Sequence, residues 1–301
     1  YESSDIKSAS LVNNLSNWQK YYGSLSWKYR LNDQSTIHLK GGIAQYNDYR
    51  TDNGIAPLFN FMAVSEFGPA FTFKLQLQTD LLSNSIEEAQ QENPFVELIP
   101  LLPMSQRSRA LMQLNIQPVS SASVFFRFSY NAWRQFTYFE RAENTGQPIQ
   151  LFEQRVLSRL QVPQAEIEYQ QYAFNQRLRW VNAFFIRQPE NEDGFIPAHI
   201  PQTELRSRIT YRLDDKWDGS LSFLRMGERY FTLTDKSASE DFKTANELPA
   251  YQLFSASVHY KLNSSWQIGL QGLNLLDERY THWEGFRERG REIMFEVRYI
   301  F

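Results

Sequence analysis

The chain has 301 residues, a formal charge of -3 at pH 7 and no cysteine. The charge lacks the basic excess of a nucleic-acid binder, and the missing cysteines exclude a disulfide scaffold and a thiolate metal site. Aromatic residues make up 15% of the chain, with 23 Phe, 16 Tyr and 7 Trp, yet mean hydropathy is -0.52, so apolar residues must alternate with polar ones.

No run approaches the roughly 18 apolar residues of a membrane helix. The other way to satisfy a backbone in lipid is a set of strands closed into a barrel. The chain begins at Tyr1 with no basic-then-apolar leader, so it is expected to be a processed product or a fragment.

In chain order, residues 5–14 are a candidate strand. The segment 18–31 alternates Leu25, Trp27, Tyr29 and Leu31 with Ser24, Ser26, Lys28 and Arg30. Strands follow at 36–49 and 57–66, the second apolar on both faces. At 70–82, Phe71, Phe73, Leu75 and Leu77 alternate with Thr72, Lys74, Gln76 and Gln78. After 106–117 comes 122–139, with Val124, Phe126, Phe128 and Tyr130 on one face and Phe125, Arg127, Ser129 and Asn131 on the other. The segments 165–173 and 175–187 form a hairpin whose polar faces carry Glu166, Glu168, Arg177 and Arg179. Strands 203–213 and 218–233 follow, then 251–262 and 265–279. In the last, 291–301, Ile293, Phe295, Val297, Tyr299 and Phe301 share a face opposite Glu292, Glu296 and Arg298. Alternation of period two places successive side chains on opposite faces. The odd residues of 291–301 are thus expected in lipid and the charged ones in the lumen.

Connections alternate in length. Short polar turns fall at 32–35, 68–69, 118–121, 174–175, 214–216 and 263–265. Long connections fall at 50–56, 83–105, 141–163, 189–201, 234–249 and 281–289. This rhythm, with segments of about 10 residues, is that of an outer-membrane barrel with tight periplasmic turns and long outer loops. The fold class is therefore all-β, an antiparallel transmembrane outer-membrane β-barrel with 13 strands, or 14 if 5–14 is one, over the single unit 1–301. The long loops are expected on the side opposite the C-terminus.

The lumen face is basic, with Lys28, Arg30, Lys40, Lys74, Arg127, Arg177, Arg179, Arg206, Arg208, Arg212 and Arg298. Such a face attracts anionic ligands or pairs with acidic groups on neighbouring strands or on a lumen-filling domain. Cross-strand ion pairs account for Glu166 and Glu168 beside Arg177 and Arg179. Trp18, Tyr21, Tyr49, Trp133, Tyr138, Trp217, Tyr230 and Trp266 read as interfacial girdles. Phe95, Phe152, Phe195, His282, Trp283 and Phe286 fall in long loops and are the candidates for contact with a small-molecule ligand. His38, His199, His259 and His282 show no metal-ligand spacing. No phosphate loop, Gly-x-Ser-x-Gly elbow or His-Glu-x-x-His motif occurs. No enzyme activity, cofactor or metal is expected.

The C-terminal residues carry a resemblance. The run Trp266 to Tyr280 contains Asn274-Leu275-Leu276-Asp277-Glu278-Arg279-Tyr280, and Gly290-Arg291 opens the last strand. This resembles the end of TonB-dependent outer-membrane receptors, whose penultimate strand ends in Asn-Leu-Phe-Asp-x-x-Tyr before a Gly-Arg pair. Leu276 replaces the usual Phe, and Arg289 stands where Pro is frequent. Residues 195–230 are also similar to that family. Ile293, Phe295, Val297, Tyr299 and Phe301 resemble the barrel-assembly signal of outer-membrane proteins. Membership would imply the C-terminal part of a barrel of roughly 22 strands, in a receptor for a ferric siderophore, cobalamin, haem or a glycan. Its partners would be outer-membrane lipid, the barrel-assembly machinery, a plug domain and further strands absent from this chain, and TonB acting through that plug. The other readings are a complete barrel of about 14 strands passing solutes by diffusion, and an enzyme or adhesin on a barrel scaffold. Pairing of 5–14 with 291–301 would favour the small barrel, whereas 18–31 and 291–301 left unpaired with each other would favour the fragment.

Overall fold

The structure, a computed structural model, describes residues 19–47, 54–82, 105–141, 152–191, 200–230, 247–283 and 286–299. The candidate strand 5–14 and Trp18, Tyr49, Phe95, Phe195, His199 and Phe301 lie outside the described residues.

Every regular element among them is a strand. In order these are β1 (Gln19–Asn32), β2 (Ser35–Asn47), β3 (Gly54–Phe67), β4 (Phe71–Leu82), β5 (Ser105–Val119), β6 (Ala122–Arg141) and β7 (Phe152–Ala173). Then come β8 (Leu178–Arg187), β9 (Thr203–Arg212), β10 (Trp217–Met226), β11 (Arg229–Tyr230), β12 (Glu247–Leu248), β13 (Tyr251–Lys261), β14 (Trp266–Leu273), β15 (Thr281–Trp283), β16 (Phe286–Arg287) and β17 (Glu292–Tyr299). Thirteen of them form one antiparallel meander, β1 to β10 followed by β13, β14 and β17, in which each strand pairs with its neighbours in sequence. The pairs β11–β12 and β15–β16 are separate small hairpins. β1 and β17 stand at opposite ends of the sheet and do not pair with each other.

A meander sorts its connections by side, so the short turns share one rim and the long connections the other. Three short turns are set by an Asx side chain bonding its own backbone two or three residues on. Asn32 Oδ1 accepts from Gln34 N at 2.9 Å. Asp214 Oδ1 accepts from Lys216 N and Trp217 N at 2.8 and 2.7 Å, which holds its carboxyl below the usual range. Asn263 Oδ1 accepts from Ser265 N and Trp266 N, both at 2.9 Å. β17 runs back from the long-connection side, so Tyr299 ends at the short-turn rim.

The register fixes the faces. Phe295 pairs with Leu270, Leu270 with Val258 on β13 and Val258 with Gly219 on β10, so Leu221, two residues on, lies on the same face. That outward row stays open in the protein, with Ile293 69% and Phe295 70% exposed. Trp217 with Tyr260 and Trp266 with Tyr299 pack ring to ring at the short-turn end of it, with centroids 4.4 and 4.8 Å apart. A contiguous aromatic and aliphatic belt of this size is foreign to a water-facing surface and is the lipid face of a transmembrane barrel. Glu296 and Arg298 lie on the other face and bond each other at 2.8 Å.

Several boundaries differ from the sequence reading. β3 is 14 residues long and starts at Gly54, inside the expected loop 50–56. β6 and β7 run 20 and 22 residues, so the expected loop 141–163 shrinks, and Phe152 opens β7 opposite Arg141 instead of lying in a loop. At about 3.4 Å per residue these strands reach roughly 70 Å, well beyond a hydrocarbon layer of about 30 Å even when tilted. Outside lipid no hydrocarbon holds one face, which removes the need for alternation and hides such a strand from a period-two reading. β10 ends at Met226, not 233, where Gly227 N donates to Thr203 O at 2.9 Å. An added Cβ on Gly227 would meet that same oxygen at 2.9 Å. β14 stops at Leu273, not 279, because Asn274 adopts φ +47°. The expected loop 281–289 contains the β15–β16 hairpin. Arg177 belongs to the turn before β8, not to the strand, and its guanidinium donates to Leu213 O at 3.1 Å.

Candidate functional site

Function in this architecture resides on the inner wall and the long-connection rim, since the outward face is apolar. The inner wall carries a ladder of ions whose partners are set by register. Arg127 on β6 stands opposite Glu166 on β7 and bonds both Glu166 and Glu168, the latter at 2.9 Å. The expected pairing of those glutamates with Arg177 and Arg179 does not form. Glu166 and Glu168 face Phe185 and Ala183 on β8, while Arg179 falls opposite Tyr172. Asp80 pairs with Arg107 at 2.7 Å. Glu204, only 3% exposed, bonds Arg187 at 2.9 Å and Arg206. The ring of Phe185 lies 5.0 and 5.3 Å from those two guanidiniums. His259 meets Asp218 at 3.3 Å.

At the long-connection rim the residues of the family-like motif form a structural lock. Asn274 Nδ2 donates to Glu278 O at 2.9 Å, and its Oδ1 accepts from Glu278 N at 3.0 Å. Asp277, at φ +55°, accepts from Arg291 N at 2.9 Å and so ties the end of β14 to the start of β17. Leu275 packs over Gly272. Tyr280 stacks on Tyr251 with centroids 4.4 Å apart, and burial first, then Glu288, pushes its phenol up to about 12. Gly290 has no room for a side chain, since a Cβ there would meet Asp277 Oδ1 at 2.5 Å. Gly290→Ala is therefore expected to cost about 1–3 kcal/mol through overpacking. Gly41→Ala, where nothing lies within 4 Å, is expected to cost much less. Urea-unfolding midpoints of the two variants in detergent check the difference.

Three of the four described candidates for ligand contact, His282, Trp283 and Phe286, sit in a packed knot beside that lock. Arg229, 1% exposed, donates to the carbonyls of Thr281 and His282 at 2.8 and 3.0 Å and lies 5.0 Å from the Tyr251 ring. His282 Nδ1 is 3.4 Å from Tyr251 Oη. Trp283, expected to be open to ligand, is buried edge-on against Phe139 at 5.4 Å. It pairs across the hairpin with Phe286. The sequence signal for this packing was weak, because β6 was expected to end at 139 rather than to extend past it.

Burial first, then the charge of Arg229, lowers His282 below its ordinary 6.5. A depressed histidine stabilises the closed form fully above the open-state value. That contribution is lost as pH falls below 6.5 through the closed-state value. Amide protection of 281–283 is thus expected to be flat at higher pH and to drop as pH falls below 6.5. His282→Gln should remove this drop in protection, read by hydrogen exchange, and a flat profile in the unaltered protein would contradict the assignment.

No protein-family model matches the sequence, and no curated protein matches it. Solved structures do match in fold. The siderophore receptor PirA from Acinetobacter baumannii superposes with a TM-score of 0.69 at 11% identity, covering 94% of this chain and 46% of that one. The ferric enterobactin receptor PfeA of Pseudomonas aeruginosa gives 0.69 at 11%, covering 94% and 45%. The copper transporter OprC gives 0.64 at 13%, covering 94% and 48%. The chain thus has the all-β fold of outer-membrane β-barrel receptors and spans less than half the length of these three. These neighbours are transport receptors rather than enzymes.

Proposed function

We propose that this chain is the C-terminal part of the barrel wall of a TonB-dependent receptor in the outer membrane of a Gram-negative bacterium. The receptor would take up a scarce nutrient such as a ferric siderophore, cobalamin, haem or a glycan. The observation that carries the reading is the sorted meander: thirteen strands in sequence order, short turns on one rim, long connections on the other, superposing on uptake receptors over 94% of the chain. The motif lock at Asn274, Asp277 and Gly290 supports it, as does the row of Ile293, Phe295, Val297 and Tyr299 as part of an assembly signal. In this reading a plug domain and further strands complete a barrel of roughly 22 strands, TonB acts on the plug, and the assembly machinery inserts the wall into lipid.

The test is uptake of radiolabelled ferric siderophores, cobalamin, haem and glycans by cells with and without the gene, before and after a protonophore. A receptor gives saturable uptake of one nutrient that depends on the gene and stops when the inner membrane is de-energised. Gene-dependent uptake that rises linearly with concentration and survives the protonophore would replace this reading with a diffusion channel.

A further inference from the structure

We propose that the inner wall at the short-turn rim carries an oxyanion-binding seat formed by Arg179, Arg208 and Arg212. Arg179 on β8 stands opposite Thr210 on β9. Arg208 and Arg212 flank Thr210 two residues to either side, which puts them on the same face. The three guanidiniums therefore share one patch. It lines a cavity of about 690 Å³ together with Thr210, Ser220, Ser257 and His259. A volume of that order holds a small ligand and its water.

Clustering sets this patch apart: Arg109 on the inner face also lacks a carboxylate partner, but only here do three such arginines line one cavity among the described residues. Arg107, Arg127, Arg187, Arg206 and Arg298 each have a carboxylate partner. Arg179, Arg208 and Arg212 have none within 4.0 Å among the described residues. The cavity contains two carboxylates and four guanidiniums, Arg177 being the fourth. Of the carboxylates, Asp218 is engaged by His259 at 3.3 Å, and Asp215 sits exposed in the turn. The seat thus has a surplus of positive charge beside hydroxyl donors. Planar guanidinium forks match carboxylate and phosphate oxygens two at a time. The occupant is an oxyanion, carried either by a solute crossing the lumen or by a carboxylate of the polypeptide that fills it. The inference rests on the proposed function only in taking this face as the inner wall. Its test measures binding and stability, not uptake, so the two can fail separately.

The experiment uses the full-length protein in detergent and compares it with R179Q/R208Q/R212Q and R179K/R208K/R212K, with inorganic phosphate and citrate as probes. If solutes reach the seat, the unaltered protein binds a probe, and the glutamine variant binds it roughly tenfold more weakly or worse, one lost charged hydrogen bond being enough for that. If a carboxylate of the same polypeptide fills the seat, neither probe binds. The glutamine variant then melts at lower temperature, and the lysine variant, which keeps the charge, recovers most of the loss. Probe binding unaffected by the glutamine substitutions would overturn the proposal. So would absence of binding combined with either an unchanged melting temperature or a lysine variant as unstable as the glutamine one.

Discussion

Glu204→Ala is expected to be the most damaging single substitution in the described wall, at roughly 3–5 kcal/mol. Glu204 is nearly inaccessible, and it holds Arg187 at 2.9 Å on one side and Arg206 on the other. Cutting away one partner of a buried pair leaves a charge that water cannot reach, and that penalty exceeds the net worth of the pair itself. Arg187, whose side chain is 15% exposed, would bear most of it. Arg206, at 62%, can turn to water. The double variant Glu204→Met with Arg187→Met should therefore lose less than Glu204→Ala alone. Urea unfolding of the three proteins in detergent checks the order, and an unaltered midpoint for Glu204→Ala would show that water already reaches this part of the wall.

The second large effect separates two neighbouring residues on β14. Leu270 belongs to the outward row, 49% exposed and opposite Phe295. Gln271 faces inward between Ser257 and Met294. Leu270→Arg should cost about 2–4 kcal/mol for a charge near the middle of the bilayer, whereas Gln271→Arg should be close to neutral in a wet lumen. Folding into lipid vesicles, followed by denaturant titration, reads both. Equal costs would mean that the two faces meet the same medium, which a membrane barrel forbids.

The fold was legible because lipid on one face and water on the other impose a strict alternation, and the turn residues Asn32, Asp214 and Asn263 mark where it resets. The same logic explains where reading failed. Around Val156 and Leu157, both partly buried and with Val156 packed against the cluster of Ala44, Ala56 and Leu81, β7 carries apolar residues on both faces, so its first half passed for loop. The ends of β10 and β14 depend on the close approach of Gly227 to Thr203 and on the left-handed backbone of Asn274, and neither leaves a periodic trace. Of the site, the residue types were legible and their partnerships were not. Arg179 was visible as an inner-wall arginine, but its partner depends on register. A shift of four residues along β8 would exchange Tyr172 for Glu168 as its neighbour. The packing of Trp283 on Phe139 joins residues 144 positions apart, a distance that no local pattern spans.

The central claim is that one face of this sheet lies in hydrocarbon and the other lines an aqueous lumen. Nitroxide labels on single cysteines placed in this cysteine-free stretch at 268 to 271 and 294 to 297, in the full-length protein in lipid bilayers, test it most directly. Labels at 268, 270, 295 and 297 are expected to collide with oxygen and be shielded from a water-soluble nickel chelate, while those at 269, 271, 294 and 296 show the reverse. A profile without this alternation, or one in which all eight positions meet the chelate equally, would contradict the barrel.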